Sequence, residues 1–147
     1  MSGHRARVTA LQALVAGSKI AKRDTAALVR ELEEVYVARR VARVPRRLLL
    51  QVLHSTRGLD GSLKAFILAA GEKPGTSLGR MLNQLESKGV RGRKLPSGTA
   101  SQLQTSIVDE RNRFIHQADV YPKQDAEIAT LLSEMDACLT QVFRLWR

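Results

Sequence analysis

Asp125 to Arg147, DAEIATLLSEMDACLTQVFRLWR, carries the clearest periodicity in the chain. Ile128, Leu131, Leu132, Met135, Leu139, Val142 and Trp146 recur at three- and four-residue spacing for about five turns, the pattern of an amphipathic helix with one buried stripe. Cys138 falls inside that stripe and reads as a core residue rather than a reactive thiol. No alternating strand pattern competes with helix here or anywhere upstream.

Working back from this helix, Leu103, Ile107, Val108 and Phe114 predict another, opened by Ser97 or Thr99 and stopped before Pro122. Residues 88–98 form a basic Gly/Pro/Ser loop. Thr76 or Ser77 caps a short helix through Leu78, Met81, Leu82 and Leu85, closed by Gly89. Pro45 opens a long helix with Leu49, Leu53, Thr56, Leu63, Phe66, Ile67 and Ala70 inside, ended by the Gly71–Gly75 segment. Gly58 and Gly61 interrupt that run and either kink it, divide it or admit a close neighbour. Asp24 caps a helix running to about Val44, with Leu28, Leu32, Val35 and Tyr36 on one side. Val8, Leu11, Leu14 and Val15 predict a first helix over residues 8–20, preceded by a frayed basic tail, 1–7. The expectation is a single all-α domain over 1–147, an antiparallel helical bundle of about four long helices plus a short one.

Composition narrows the function. Net charge is +10, which attracts polyanions, nucleic acid foremost. Residues 1–98 hold 19 Lys and Arg against 7 Asp and Glu, whereas 99–147 hold 5 against 7, so the excess is local. It gathers at Arg39, Arg40, Arg43, Arg46 and Arg47 around Pro45, and at Lys88, Arg91, Arg93 and Lys94 in the Gly-rich loop. Arginine forks suit phosphate oxygens, so both clusters are candidate RNA-binding surfaces, with solvated helix ends as the plain alternative. No recognition-helix pattern points to sequence-specific duplex binding. The basic stretches lack the Trp and Phe anchors of a membrane-surface helix, and no run is long enough to span a bilayer. A single cysteine permits no disulfide within the chain, and no signal peptide is visible, so a cytoplasmic location is expected. His4, His54, His116 and Cys138 are too scattered for a metal site, and no cofactor is expected. His54 borders a predicted buried stripe and reads as structural.

Chemistry concentrates in Asp109-Glu110-Arg111-Asn112-Arg113-Phe114-Ile115-His116, a polar cluster on an otherwise apolar helix. Cleavage of RNA by its own 2′-hydroxyl needs a base, an acid and fixed positive charge on the phosphoryl oxygens. Imidazole serves either proton role near neutral pH, guanidinium supplies the charge, and Asn112 can orient the ring or touch phosphate. In a regular helix Asn112 and His116 share a face, but Arg111 and His116 diverge by about 140°. They converge only if the helix loosens near His116 or a second copy completes the site. Arg113 is either a second phosphate contact or the partner of Asp109 or Glu110.

Arg111-Asn112-Arg113-Phe114-Ile115-His116 resembles the Arg-polar-x-x-x-His signature of the HEPN ribonuclease superfamily, set late in a small helical chain before a long final helix. Leu53 to Asp60 is similar to an upstream helix of such domains. The resemblance implies a metal-independent endoribonuclease with Arg111 and His116 as catalytic pair, Asn112 assisting, and a homodimer with a composite site. It also implies a toxin or antiviral-defence setting, with an antitoxin or defence-complex protein as partner. Some toxin members carry a Tyr two residues after the His, the target of a nucleotidyltransferase antitoxin. Ala118 stands there, which argues against that partner. The competing expectations are a noncatalytic RNA- or nucleotide-binding adaptor and a protein-interaction module.

Overall fold

A computed structural model describes residues 2–20 and 22–145. It is all-helical: the described residues contain no β-strand, only an isolated bridge between Val90 and Arg93. In chain order the elements are α1 (Ser2–Ala16), α2 (Lys22–Ala38), α3 (Val44–Ala69), α4 (Leu78–Ser87), α5 (Thr99–Leu103), a π-helical turn (Gln104–Asp109), α6 (Glu110–His116) and α7 (Asp125–Arg144). None is long and apolar enough to cross a membrane. Trp146, expected on the last stripe, lies outside the described residues.

α3 is the central element, packing against α2, α7, α4 and α6, while α1 covers α2 and α7. Pro45 sits in its first turn, where the missing N–H costs no helical hydrogen bond. Gly58 and Gly61 do not divide it, since the helix runs unbroken through both. A Cβ on Gly61 would stand 3.0 Å from Leu28 Cδ2, and one on Gly58 3.7 Å from Leu32 Cδ2. The two glycines therefore form a notch for the leucines of α2. The helix stops in a Schellman turn, with the Gly71 N–H on the Leu68 carbonyl, the Glu72 N–H on Ile67, and Gly71 left-handed at φ 79°.

The buried stripe in the first half of α3 is offset by one residue from the sequence expectation. Leu48 and Val52 are buried, whereas Leu49 is half-buried and Leu53 exposed. α7 keeps its expected stripe, with Ile128, Leu131, Leu132, Met135, Leu139 and Val142 inside and Phe143 edge-on to Phe66 at 4.7 Å.

The N-terminal expectation is corrected. Residues 4–7 are helical rather than frayed, and α1 ends at Ala16, short of Ile20. Arg5 donates to both Glu33 carboxylate oxygens at 2.7 Å and lies over the Tyr36 ring, which His4 stacks against, and Arg7 reaches Asp136 at 2.8 Å. These anchors come from α2 and α7, so local sequence cannot reveal them. α2 likewise begins before Asp24, which stands in its first turn, and ends at Ala38 rather than near Val44. Arg39 to Arg43 then turn the chain.

Residues 88–98 are not a free loop. Val90 and Leu95 are buried, and the Leu95 N–H bonds the Leu85 carbonyl at 3.0 Å. Glu86 accepts from the Gly98 and Ala100 N–H groups and so caps α5.

The α2–α3 notch makes a stability prediction. Gly61→Val should lower the thermal midpoint, costing about 1–3 kcal/mol through overpacking against Leu28. Gly61→Ala should cost far less, because its better helix propensity offsets the tight contact. Equal midpoints for the two variants would show that the notch does not matter.

Candidate functional site

The Arg111–His116 segment is α6, a regular α-helical turn pair that ends at His116. The irregularity in this run lies upstream, in the π-helical turn over Gln104–Asp109. π-turns are rare and frequent at functional sites. This one does not bring Arg111 and His116 together, since every step between them is α-helical. Within one copy the two side chains leave the axis about 140° apart. Of the two routes to convergence, loosening near His116 is absent and completion by a second copy remains.

Arg111 lies three residues before Phe114, which is 4% exposed, so its base shares the inner face of α6. Its Nε is buried with no hydrogen-bond partner among the described residues, and so is Asn112 Oδ1. The neighbouring acids are committed elsewhere. Asp109 accepts from Gln104 Nε2 at 3.0 Å, and Glu110 holds Arg113 at 3.0 Å. Gln104 itself fits against Gly79 of α4, where a Cβ would collide with it. Arg113 also covers the Phe114 ring at 4.5 Å, so its structural role is met by Glu110 and Phe114. Asn112 and His116 share a face four residues apart, with His116 exposed to solvent.

The basic residues predicted as two clusters are dispersed by the fold. Arg39 and Arg40 turn towards His4 of α1, and Arg40 donates to the hydroxyl of Tyr36 in α2 at 3.1 Å. Arg39 lines a cleft with His4, whose pKa is lowered by burial and by the Arg39 and Arg7 charges. Arg47 lies 3.6 Å from Asp125 at the start of α7. Only Arg43 and Arg46 reach the neighbourhood of α6. In the second cluster, Arg91 donates to the Ala69 carbonyl at 2.8 Å and Arg93 to the Leu145 carbonyl at 2.6 Å. These cations cap the C-terminal ends of α3 and α7, where the helix dipole favours them. Lys88 and Lys94 remain exposed.

Two residues read as structural are so. His54 and Arg57 of α3 share Glu31 of α2, at 2.9 and 2.7 Å. Cys138 is 1% exposed, and burial pushes its thiol up to about 12, with Glu134 adding to the shift, which denies it thiolate chemistry. No cluster of metal-binding side chains occurs among the described residues.

A groove of about 770 Å³ that sequence periodicity misses runs beside the end of α6. Leu49, Leu50 and Leu53 of α3 form one wall, and Ile115, Gln117 and Tyr121 the other, with Arg43 and Arg46 at the α3 end. A larger cleft of about 960 Å³ lies between α1 and α7, but no residue of the 111–116 segment lines it. Comparison with known protein families, curated proteins and solved structures finds no match for the chain.

Arg111 thus carries a buried, unpartnered Nε on a half-buried side chain, and replacing it should make the protein more stable. Arg111→Leu removes the unsatisfied Nε and extends the apolar stripe, and we expect a gain of about 1–3 kcal/mol in thermal or urea unfolding. A loss of stability would identify Arg111 as a structural residue and remove the main physical ground for a functional one.

Proposed function

We propose that this chain is a metal-independent endoribonuclease of the HEPN type, acting as a homodimer whose cleft combines Arg111, Asn112 and His116 of both copies. The observation that carries the proposal is Arg111. It is retained on the inner face of α6 with a buried, unpartnered Nε, while each acid beside it is bonded to another residue. A guanidinium kept without an internal counter-ion is available to an external anion. The net positive charge supports a polyanionic substrate. The resemblance of residues 111–116 to the HEPN signature supplies the reaction class, and the fold we assign is that family's antiparallel bundle, with α4 as the short member.

The chemistry follows from the groups. One imidazole takes the proton of the ribose 2′-hydroxyl as its oxygen bonds to phosphorus. The phosphorus–5′-oxygen bond breaks, and the imidazolium of the other copy protonates the leaving oxygen. Arg111 offsets the charge on the nonbridging oxygens, and Asn112 positions His116 or the phosphate. The products are a 2′,3′-cyclic phosphate and a 5′-hydroxyl. The setting we assign, from the resemblance alone, is cytoplasmic toxin–antitoxin or antiviral defence, with a restraining or defence-complex protein as partner.

A second reading is favoured by one feature, the divergence of Arg111 and His116 within a single copy. It is a noncatalytic adaptor that binds RNA through its basic surface.

Incubation with mixed RNA in chelator separates the two. We expect cleavage to 2′,3′-cyclic phosphate ends, no cleavage of DNA, and loss of about 10²–10⁴-fold in rate for His116→Ala and Arg111→Ala, both remaining folded. Salt-sensitive RNA binding without turnover establishes the adaptor instead, and turnover that survives His116→Ala removes the assigned active site.

A further inference from the structure

The groove beside α6 is an unusual surface for so basic a chain. Among the described residues five large hydrophobic side chains are exposed, and three of them line or border this one feature: Leu53 at 37%, Ile115 at 36% and Tyr121 at 52%. Such concentration marks a binding surface rather than scattered exposure. Its lining contains no acidic residue, and Arg43 and Arg46 stand at the start of α3, both exposed and with no ion pair among the described residues. The volume, about 770 Å³, suits a nucleotide-sized ligand. Ile115 and Gln117 flank His116 in the chain, so the groove runs next to the backbone of the candidate active site, although His116 itself does not line it.

We infer that this groove receives an unpaired nucleobase of the RNA next to the cleaved phosphodiester, with the base against Leu53, Ile115 and Tyr121 and the adjoining phosphates on Arg43 and Arg46. An apolar wall with a cationic end matches the two halves of a nucleotide. Aromatic and apolar walls hold any base by its face, and guanidinium forks hold phosphate. A base in a duplex is already stacked and cannot enter, so the groove selects single-stranded substrate. A second copy of this chain fits less well. In a two-fold contact the same patch meets itself, and this patch presents Arg43 and Arg46 with no acid in its lining to receive them. The inference rests on the nuclease assignment for its placement but not for the binding itself.

The test uses the full chain carrying His116→Ala, so that RNA is bound and not cut. Fluorescence anisotropy is measured with a labelled single-stranded octaribonucleotide, the same strand containing abasic positions, and a duplex of equal length. Tyr121→Ala should weaken binding of the intact single strand about tenfold. It should leave binding of the abasic strand unchanged. Arg43→Gln with Arg46→Gln should weaken both strands and flatten the salt dependence. Binding that ignores Tyr121→Ala, or a duplex that depends on Tyr121 as strongly as the single strand does, overturns the inference. So does sedimentation showing that Leu53→Glu and Tyr121→Ala convert a dimer to monomer, because the groove then belongs to a second copy.

Cleavage by the chain without these substitutions separates this inference from the nuclease assignment. If RNA is cut and Tyr121→Ala shifts neither KM nor the cleavage positions, the groove assignment falls and the nuclease stands. If RNA is not cut but binding depends on Tyr121 as described, the groove stands and the nuclease falls.

Discussion

The closeness of α2 to α3 sets the frame in which every other helix is placed. Leu28 and Leu32 fill the notch at Gly58 and Gly61, and Glu31 between them is held by His54 and Arg57. Two glycines inside a helix cost about 0.5–1 kcal/mol each relative to alanine. That cost is offset by the apolar contact they permit, because a leucine seated against backbone loses its hydration on all sides. With one face of α3 committed to α2, its other faces take α7, α4 and α6. The position of the Arg111–His116 segment beside the start of α3 is a consequence of that arrangement.

The run from Thr99 to His116 is a helical stretch interrupted by a π-helical turn. Leu103, Ile107 and Phe114 would form one stripe in an unbroken α-helix, and Arg111, four residues after Ile107, would interrupt it with a charge. The π-helical turn falls between the buried start of the run and the charged segment. Gln104, lodged against Gly79, donates its amide N–H to Asp109, so the contact made by that acid is to a neutral group rather than to Arg111. Glu110 is occupied by Arg113 in the same way. The surroundings thus leave the buried Arg111 Nε without a hydrogen-bond partner, an arrangement that costs free energy.

What the sequence disclosed, and what it hid, divides along the range of the interactions. The α7 stripe, Pro45 in the first turn of α3 and the Ser77 cap of α4 are encoded within a few residues and were legible. The order in α1 before Val8 was not, because Glu33, Tyr36 and Asp136 supply it from other helices. Periodicity also placed Leu49 and Leu53 inside, since a run of Leu48, Leu49 and Leu50 allows several phases and only packing selects one. That shift exposes the groove, so the feature that extends the candidate site was invisible for the same reason. Five arginines close in sequence read as one phosphate-binding surface. The turn after Ala38 sends Arg39 and Arg40 towards α1 and leaves Arg43 and Arg46 beside α6.

The divergence of Arg111 and His116 bears on how the proposed site could be built at all. A long side chain can sometimes swing around a helix, but Arg111 cannot do so freely, because its Nε is already enclosed. Reaching the His116 face would strip that enclosure and expose the apolar contacts of the side-chain stem. A two-fold axis removes the difficulty. The angle between Arg111 of one copy and His116 of the other is then set by how the subunits pack, not by the helical repeat. In the proposed dimer, proton donor and proton acceptor would be the same residue in two copies. The single histidine of the segment, which is a deficiency in one chain, becomes sufficient in two.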